Sequence, residues 1–297
     1  VAGMDYHIWQ RLAVFGYLAA VALSVAVMLF GREINGSKRW LALGPFSFQP
    51  SEFAKVALIL FLADLVTKNV KTIGKMWTLC RIMFWILPIV GLVGASNLST
   101  AIIILGIGVI LIFVASPKYA QFALMGIAGA CFMGIFLALE SYRLERLAIW
   151  RNPEKYEKGY QTLQGLYAIG SGGVFGVGIG NSVQKLGFVP EAQNDMIFSI
   201  ICEELGLAGA GIIVFLFLLL IWRFFLIASG SRDLFGALIA TGAMAHMMIQ
   251  VILNIAVVTN TIPNTGITLP FISYGGTSVM FLLIEMGLVL SVSQVVD

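Results

Sequence analysis

Four groups of polar residues stand out in this sequence by type and spacing. In the first, Arg39-Trp40 precedes Gln49-Pro50-Ser51-Glu52-Phe53-Ala54-Lys55. Pro50 suits the first turn of a helix, Glu52 complements its N-terminal dipole, and Glu52 and Lys55 share a face at i,i+3. A lysine at the head of an apolar helix is costly, so Arg39 and Lys55 read as a site for an anionic lipid headgroup. The plainer alternative is interfacial anchoring by Trp40 and a self-neutralising pair. The second group runs from Pro190 to Glu204. Read as a helix from Pro190, it places Glu191, Asp195, Ser199 and Glu203 on one acidic stripe, opposite Met196, Ile197, Ile200 and Ile201. Carboxylates leading into an apolar span have raised pKa values, which suits a general base; a solvated amphipathic face is the alternative. The third is His246, Gln250 and Asn254, a stripe spaced by four that faces other helices, with a proton relay as the lesser reading. The fourth is Pro263–Ser278, which includes Ser273, Tyr274 and Gly275. Irregular backbone at membrane depth occurs where protein or a water-filled cavity covers it, so this loop lines a site. Glu285, inside the last apolar stretch, needs a partner.

The elements that must position these groups are membrane helices. Of 297 residues, 59% are hydrophobic and 11% charged, with a mean hydropathy of +0.95. A soluble domain is about 25% charged, so this chain lacks the charge to cover a water-facing surface. Spans of about 20 apolar residues fall at Leu12–Gly31, Phe53–Val66, two in Ile82–Pro117 with a tight hairpin near Ala95–Thr100, Tyr119–Leu139, Leu205–Trp222, and two in Leu234–Ile284. That makes eight. Arg11, Lys68, Lys71, Lys75, Arg81, Lys118, Arg223 and Arg232 mark the cytoplasmic side, which leaves Arg32, Lys38, Arg39 and a large loop over residues 140–204 outside. Of the 33 charged residues, 14 lie in that loop, so one outer face is chemically equipped.

A net charge of +3 argues for no nucleic-acid partner. Cys80, Cys131 and Cys202 lie in apolar runs and read as buried thiols. The glycine-rich stretch Gly170–Gly180 has no GxGxxG register and reads as close backbone packing or a flexible loop, with backbone approach to a sugar or phosphate as the sharper alternative. No HExxH, GxSxG or Walker pattern is present, and two histidines are too few for a histidine metal site.

Four stretches resemble the SEDS family of bacterial shape, elongation, division and sporulation proteins. They are NGSKRW (35–40), QPSEFAK (49–55), YQTLQGLYAIGSGGVFGVGIGNSVQKLGFVPEAQNDMIFSIICEELG (160–206) and IPNTGITLPFISYGGTS (262–278). The last, extended to VVTNTIPNTGITLPFISYGGTS (257–278), is most similar to the division-type (FtsW) branch; the elongation (RodA) and sporulation (SpoVE) branches are close relatives. The resemblance implies an all-α polytopic transmembrane bundle forming one integral-membrane domain over 1–297. It carries eight of the family's ten spans, the first two being absent, and its catalytic motif lies in the 140–204 loop between spans five and six. It implies a peptidoglycan glycosyltransferase that polymerises lipid II at the outer face of the bacterial cytoplasmic membrane, at the septum if division-type.

Asp195 matches the family's essential aspartate and is expected to be the general base. The resemblance extends to Glu52 with Lys55 and to Arg39 with Trp40. Lys185, Glu191, Gln193, Ser273, Tyr274 and Gly275 complete the expected substrate-binding set, with Arg39, Lys55 and Lys185 facing the undecaprenyl pyrophosphate leaving group. An α-linked donor giving a β-linked product implies one inverting displacement. No cofactor is required; a divalent cation (Mg or Mn) suits the leaving group, but no ligand spacing supports one. Expected partners are a class B penicillin-binding protein transpeptidase and other division-complex membrane proteins. One departure matters: the family's acidic Pro-Asp-Leu-Gly-Thr segment reads Ser96-Asn97-Leu98-Ser99-Thr100 here, so no acidic role transfers. A lipid II flippase and a pure scaffold are the competing readings.

Overall fold

The computed structural model describes residues 1–34, 37–43, 46–116, 118–123, 126 and 147–295. The chain forms two compact units. One comprises Val1–Tyr119, Ile221–Ile249 and Gly275–Asp297; the other comprises Ala120–Leu220 and Gln250–Tyr274.

In the first unit, α1 (His7–Phe30) buries Ala13, Tyr17, Ala20, Ser24 and Val27. This three-and-four spacing makes one stripe, and its small residues let α1 lie close against α2 (Pro50–Asn69). Phe15, Leu18, Leu29 and Phe30 point outward, as a lipid-facing surface requires. Helix α2 is the buried centre of the unit. Tyr17 stacks on its Phe61 with ring centroids 4.3 Å apart and donates to Trp85 O on α3 (Met76–Ser96) at 2.7 Å. The expected hairpin near Ala95–Thr100 is present: α3 ends at Ser96, and α4 (Leu98–Ala115) begins after Asn97. Asn97, in the departing segment, caps α4 by accepting from Thr100 N at 3.2 Å.

Between α1 and α2 lies an element the sequence reading did not contain, an antiparallel sheet of β1 (Arg32–Ile34), β2 (Ser37–Leu43) and β3 (Phe46–Phe48). Arg32 pairs with Trp40, and Leu41 with Phe48. The Asn35-Gly36 dipeptide in the sequence between β1 and β2 is a hairpin signal, and the fold is helical with this small addition.

In the second unit, residues 147–151 are helical. Two 3-10 turns, Pro153–Lys155 and Glu157–Gly159, lead into α5 (Tyr160–Gly172). Then come α6 (Ile197–Gly230), which continues into the first unit, α7 (Leu234–Val258), which starts in the first and ends in the second, and α8 (Gly276–Ser293), which lies in the first. Helix α6 is broken at Gly206 (φ 66°, ψ −170°). The break frees backbone groups on either side, and the glycine-rich stretch satisfies four of them. Val177 N donates to Glu203 O and Gly178 N to Glu204 O; Leu207 N donates to Gly173 O and Ala208 N to Val174 O. A Cβ at Gly206 would lie 2.4 Å from Gly176 N and Val174 O, so the stretch is close backbone packing, as one sequence reading expected.

Among the described residues, six helices are long and apolar enough to cross a membrane: α1, α3, α4, α6, α7 and α8. The expected second span forms as α2, a 20-residue helix that also carries Glu52, Lys55, Asp64 and Lys68. Most of the expected fifth span, Tyr119–Leu139, lies outside the described residues, as does Cys131. Cys202 is buried as expected, but Cys80 faces outward on α3.

Candidate functional site

The second unit is built around Asp195, which sits in a turn before α6 and is 8% exposed. The sequence reading had a helix from Pro190, and the structure corrects it: residues 190–196 are turns, Glu191 has φ 55°, and the helix starts at Ile197. The physical reason lies in the acceptors. The carbonyls that helical residues 197–199 would need are held by other donors: Gln193 O by Tyr274 N (2.8 Å), Asn194 O by Ser273 Oγ (2.6 Å) and Asp195 O by Asn254 Nδ2 (2.9 Å).

The acidic stripe therefore does not exist. Glu191 is exposed and accepts from Asn194 Nδ2. Glu203 accepts from Ser182 Oγ and from Val183 N (3.2 Å), and Glu204 accepts from Lys185 Nζ (2.6 Å). These two carboxylates anchor the 181–189 loop, so Lys185 is engaged by Glu204 and not held out toward a ligand.

Asp195 remains as a buried carboxylate. Gln161 Nε2, from α5, lies 3.3 Å from Oδ1 and 3.5 Å from Oδ2. Burial pushes its pKa from 3.8 up to about 6; its own backbone N–H, that of Met196 and Gln161 oppose the rise, and the charge of Glu191 adds to it. Gly266, with φ 67°, borders the carboxylate: a Cβ there would lie 3.7 Å from Oδ2. Ser273, expected to bind substrate, is 6% exposed and ties the loop together, donating to Asn194 O while accepting from Leu269 N at 2.7 Å. Tyr274 is exposed, as is Gln193. Gln250, from the expected polar stripe, donates to Thr268 O at 3.0 Å.

The first unit holds the other expected residues. Lys55 Nζ lies 3.0 Å from Glu52 Oε1, and both side chains are buried on α2. His246 Nδ1, on α7, lies 2.8 Å from Glu285 Oε2 on α8, which supplies the partner Glu285 required. Two ionisable residues in separate apolar helices were the available signal, because buried charges pair. Arg39, on β2, donates from Nε to Ser96 O at 3.3 Å. It lines a cavity of about 20 Å³ with Ser24, Ser51 and Asn97, a size suited to a water molecule. Trp40 is half-buried, and Gly275 precedes α8.

Sequence reasoning missed Gln161 altogether and did not assign Asn254 to Asp195; the only signal for either was a polar side chain in a mainly apolar helix. Among the described residues no group of three or more His, Cys, Asp and Glu side chains comes together to hold a metal ion.

The family described as "Cell cycle protein" (FTSW_RODA_SPOVE) matches residues 1–297. Stage V sporulation protein E of Bacillus subtilis is 39% identical, over 99% of this chain and 82% of that protein. The probable peptidoglycan glycosyltransferase FtsW of Coxiella burnetii is 37% identical, over 96% of this chain and 79% of its own length. That of Trichlorobacter lovleyi is 34% identical, over 98% and 78%. Among solved structures, a chain from a study of polymerization and crosslinking by a peptidoglycan synthase complex superposes with a TM-score of 0.85 at 30% identity, covering 99% of this chain and 84% of that one. The rod shape determining protein RodA of Thermus thermophilus superposes at 0.70 with 28% identity, over 98% and 80%. With the apolar helices and these motifs in place, the chain belongs to the FtsW/RodA/SpoVE (SEDS) family of multi-pass membrane proteins.

Proposed function

We propose that this protein is a peptidoglycan glycosyltransferase that polymerises lipid II at the outer face of the bacterial cytoplasmic membrane, with Asp195 as general base. The observation that carries the proposal is the buried Asp195 carboxylate, pushed up to about 6 and held beside Gln161. A base with that pKa is deprotonated at neutral pH yet basic enough to share a proton in a transition state. Relatives named as peptidoglycan glycosyltransferases support the same chemistry.

In the proposed reaction the 4-hydroxyl of an acceptor GlcNAc attacks the anomeric carbon of the donor sugar. The new C–O bond forms as the bond to pyrophosphate breaks. The hydroxyl proton passes to Asp195, and the bonding electrons leave with the lipid pyrophosphate. The displacement inverts the anomeric centre, so no covalent enzyme intermediate is needed, by analogy with inverting glycosidases. Within the unit that carries Asp195, the proposed pyrophosphate contact is Lys185, once released from Glu204.

A cross-linking partner, a class B penicillin-binding protein, is part of the proposal, as are other division-complex membrane proteins. The synthase-complex structure supports such a pairing. The division branch is the finer reading, carried by residues 257–278. The 39% identity to a sporulation protein favours the sporulation branch as a second reading, and complementation of division-depleted and sporulation-defective strains separates the two.

The central test is lipid II polymerisation by full-length wild type and Asp195→Asn. Loss of the base is expected to cost about 10²–10⁴ in rate. Strand synthesis at the wild-type rate by a well-expressed Asp195→Asn protein would overturn the proposal, and lipid II flipping that survives the substitution would favour the transporter reading.

A further inference from the structure

Asn254 has no place yet in this chemistry. Its side chain is fully buried on α7, and its amide nitrogen donates to two carbonyls at once, Asp195 O at 2.9 Å and Ile267 O at 2.7 Å. An amide carries two N–H hydrogens, so both are used, and only the nitrogen side of the group can face two carbonyl oxygens. The other side is unsatisfied: Asn254 Oδ1 is buried without a hydrogen-bond donor among the described residues. An unmet buried acceptor lowers stability, and a leucine of similar size would avoid that loss. Stability of the surrounding helices therefore does not call for asparagine here. The bridge does.

The bridge has a specific target. Three successive carbonyls of the 193–195 turn are held by three different donors, and the one Asn254 holds belongs to the residue that carries the carboxylate. Its second contact, Ile267 O, adjoins Gly266, the residue that borders Asp195 Oδ2. Asn254 thus ties the backbone beneath the carboxylate to the loop segment beside it.

We infer that Asn254 is a positioning residue that holds the Asp195 carboxylate in its buried setting by clamping the Asp195 and Ile267 carbonyls. The inference rests on the reading of Asp195 as general base. Without the clamp the turn is free to rotate the carboxylate toward water. Alignment with the acceptor hydroxyl and the raised basicity are then lost together.

The test uses the full chain in proteoliposomes with fluorescent lipid II, and compares wild type with Asn254→Leu, Asn254→Ala and Asn254→Asp. Leucine keeps the volume and removes the unmet acceptor, but it takes the donors from the Asp195 and Ile267 carbonyls, so folded yield is measured beside activity. Displacing a catalytic group in this way is expected to lower kcat about 10–100-fold while KM for lipid II stays within about twofold. The acid limb of the pH–rate profile is expected to move down toward an ordinary carboxylate. Wild-type kcat in a folded Asn254→Leu protein would overturn the inference, as would a loss of kcat with the acid limb unmoved or an effect on KM alone. Asp195→Asn is assayed beside these variants. An active Asp195→Asn protein removes the general-base reading itself; an inactive one, beside a wild-type-like Asn254→Leu, removes only the role given to Asn254.

Discussion

Replacing Asp195 with asparagine removes a charge that the fold holds away from water. Burial raises the carboxyl from 3.8 to about 6, so between those values the folded chain binds more protons than the unfolded chain. Stability therefore falls as pH rises through that window. The loss is complete above pH 6 and absent below the unfolded value. At 1.36 kcal/mol per pKa unit it amounts to about 3 kcal/mol at neutral pH. Asparagine keeps the shape and still accepts from Gln161, but it has no such titration. The Asp195→Asn protein is thus expected to be more stable than wild type by up to about 3 kcal/mol at about pH 7.5, with the gap closing toward about pH 4. Thermal unfolding of both proteins in the same detergent, across that pH range, measures it. Equal midpoints at neutral pH, or a gap that widens in acid, would refute the reasoning. Greater stability together with lost polymerisation would identify Asp195 as a residue whose ionised form destabilises the fold while serving the reaction.

Polymerisation by wild type is expected to fall in acid with a midpoint near pH 6, because the base must be deprotonated; a flat rate from about pH 5 to 7 would contradict this. Lys55→Met or Glu52→Gln alone is expected to cost about 3–5 kcal/mol by breaking a buried ion pair, whereas the double variant recovers much of that, as read by folded yield in detergent. Gly206→Ala places a Cβ against Gly176 N and Val174 O at a backbone angle alanine rarely adopts, so a sharp drop in folded yield is expected and wild-type yield would disprove the packing argument. Ser273→Ala is expected to loosen the 193–195 turn by removing the donor to Asn194 O, with faster hydrogen exchange over those residues as the readout.

The sequence by itself determined the solvent and most of the helices. Long uncharged runs can bury their backbone polar groups in a bilayer only as helices, and α1, α3, α4, α7 and α8 follow those runs closely. It also pointed to the acidic residues of 190–204, just ahead of an apolar span, and the family resemblance singled out Asp195 among them. Tertiary structure decided the conformation around that carboxylate. Residues 190–196 have a helical pattern of acidic and apolar side chains, but their carbonyls are taken by donors from residues 254, 273 and 274, far along the chain. Periodicity reports which face a side chain would occupy and is blind to donors from distant segments. The same limit hid the pairing of His246 with Glu285 and the four hydrogen bonds that repair α6 at Gly206. Burial, which sets the basicity of Asp195, is likewise a property of the assembled unit and not of the residues on either side of it.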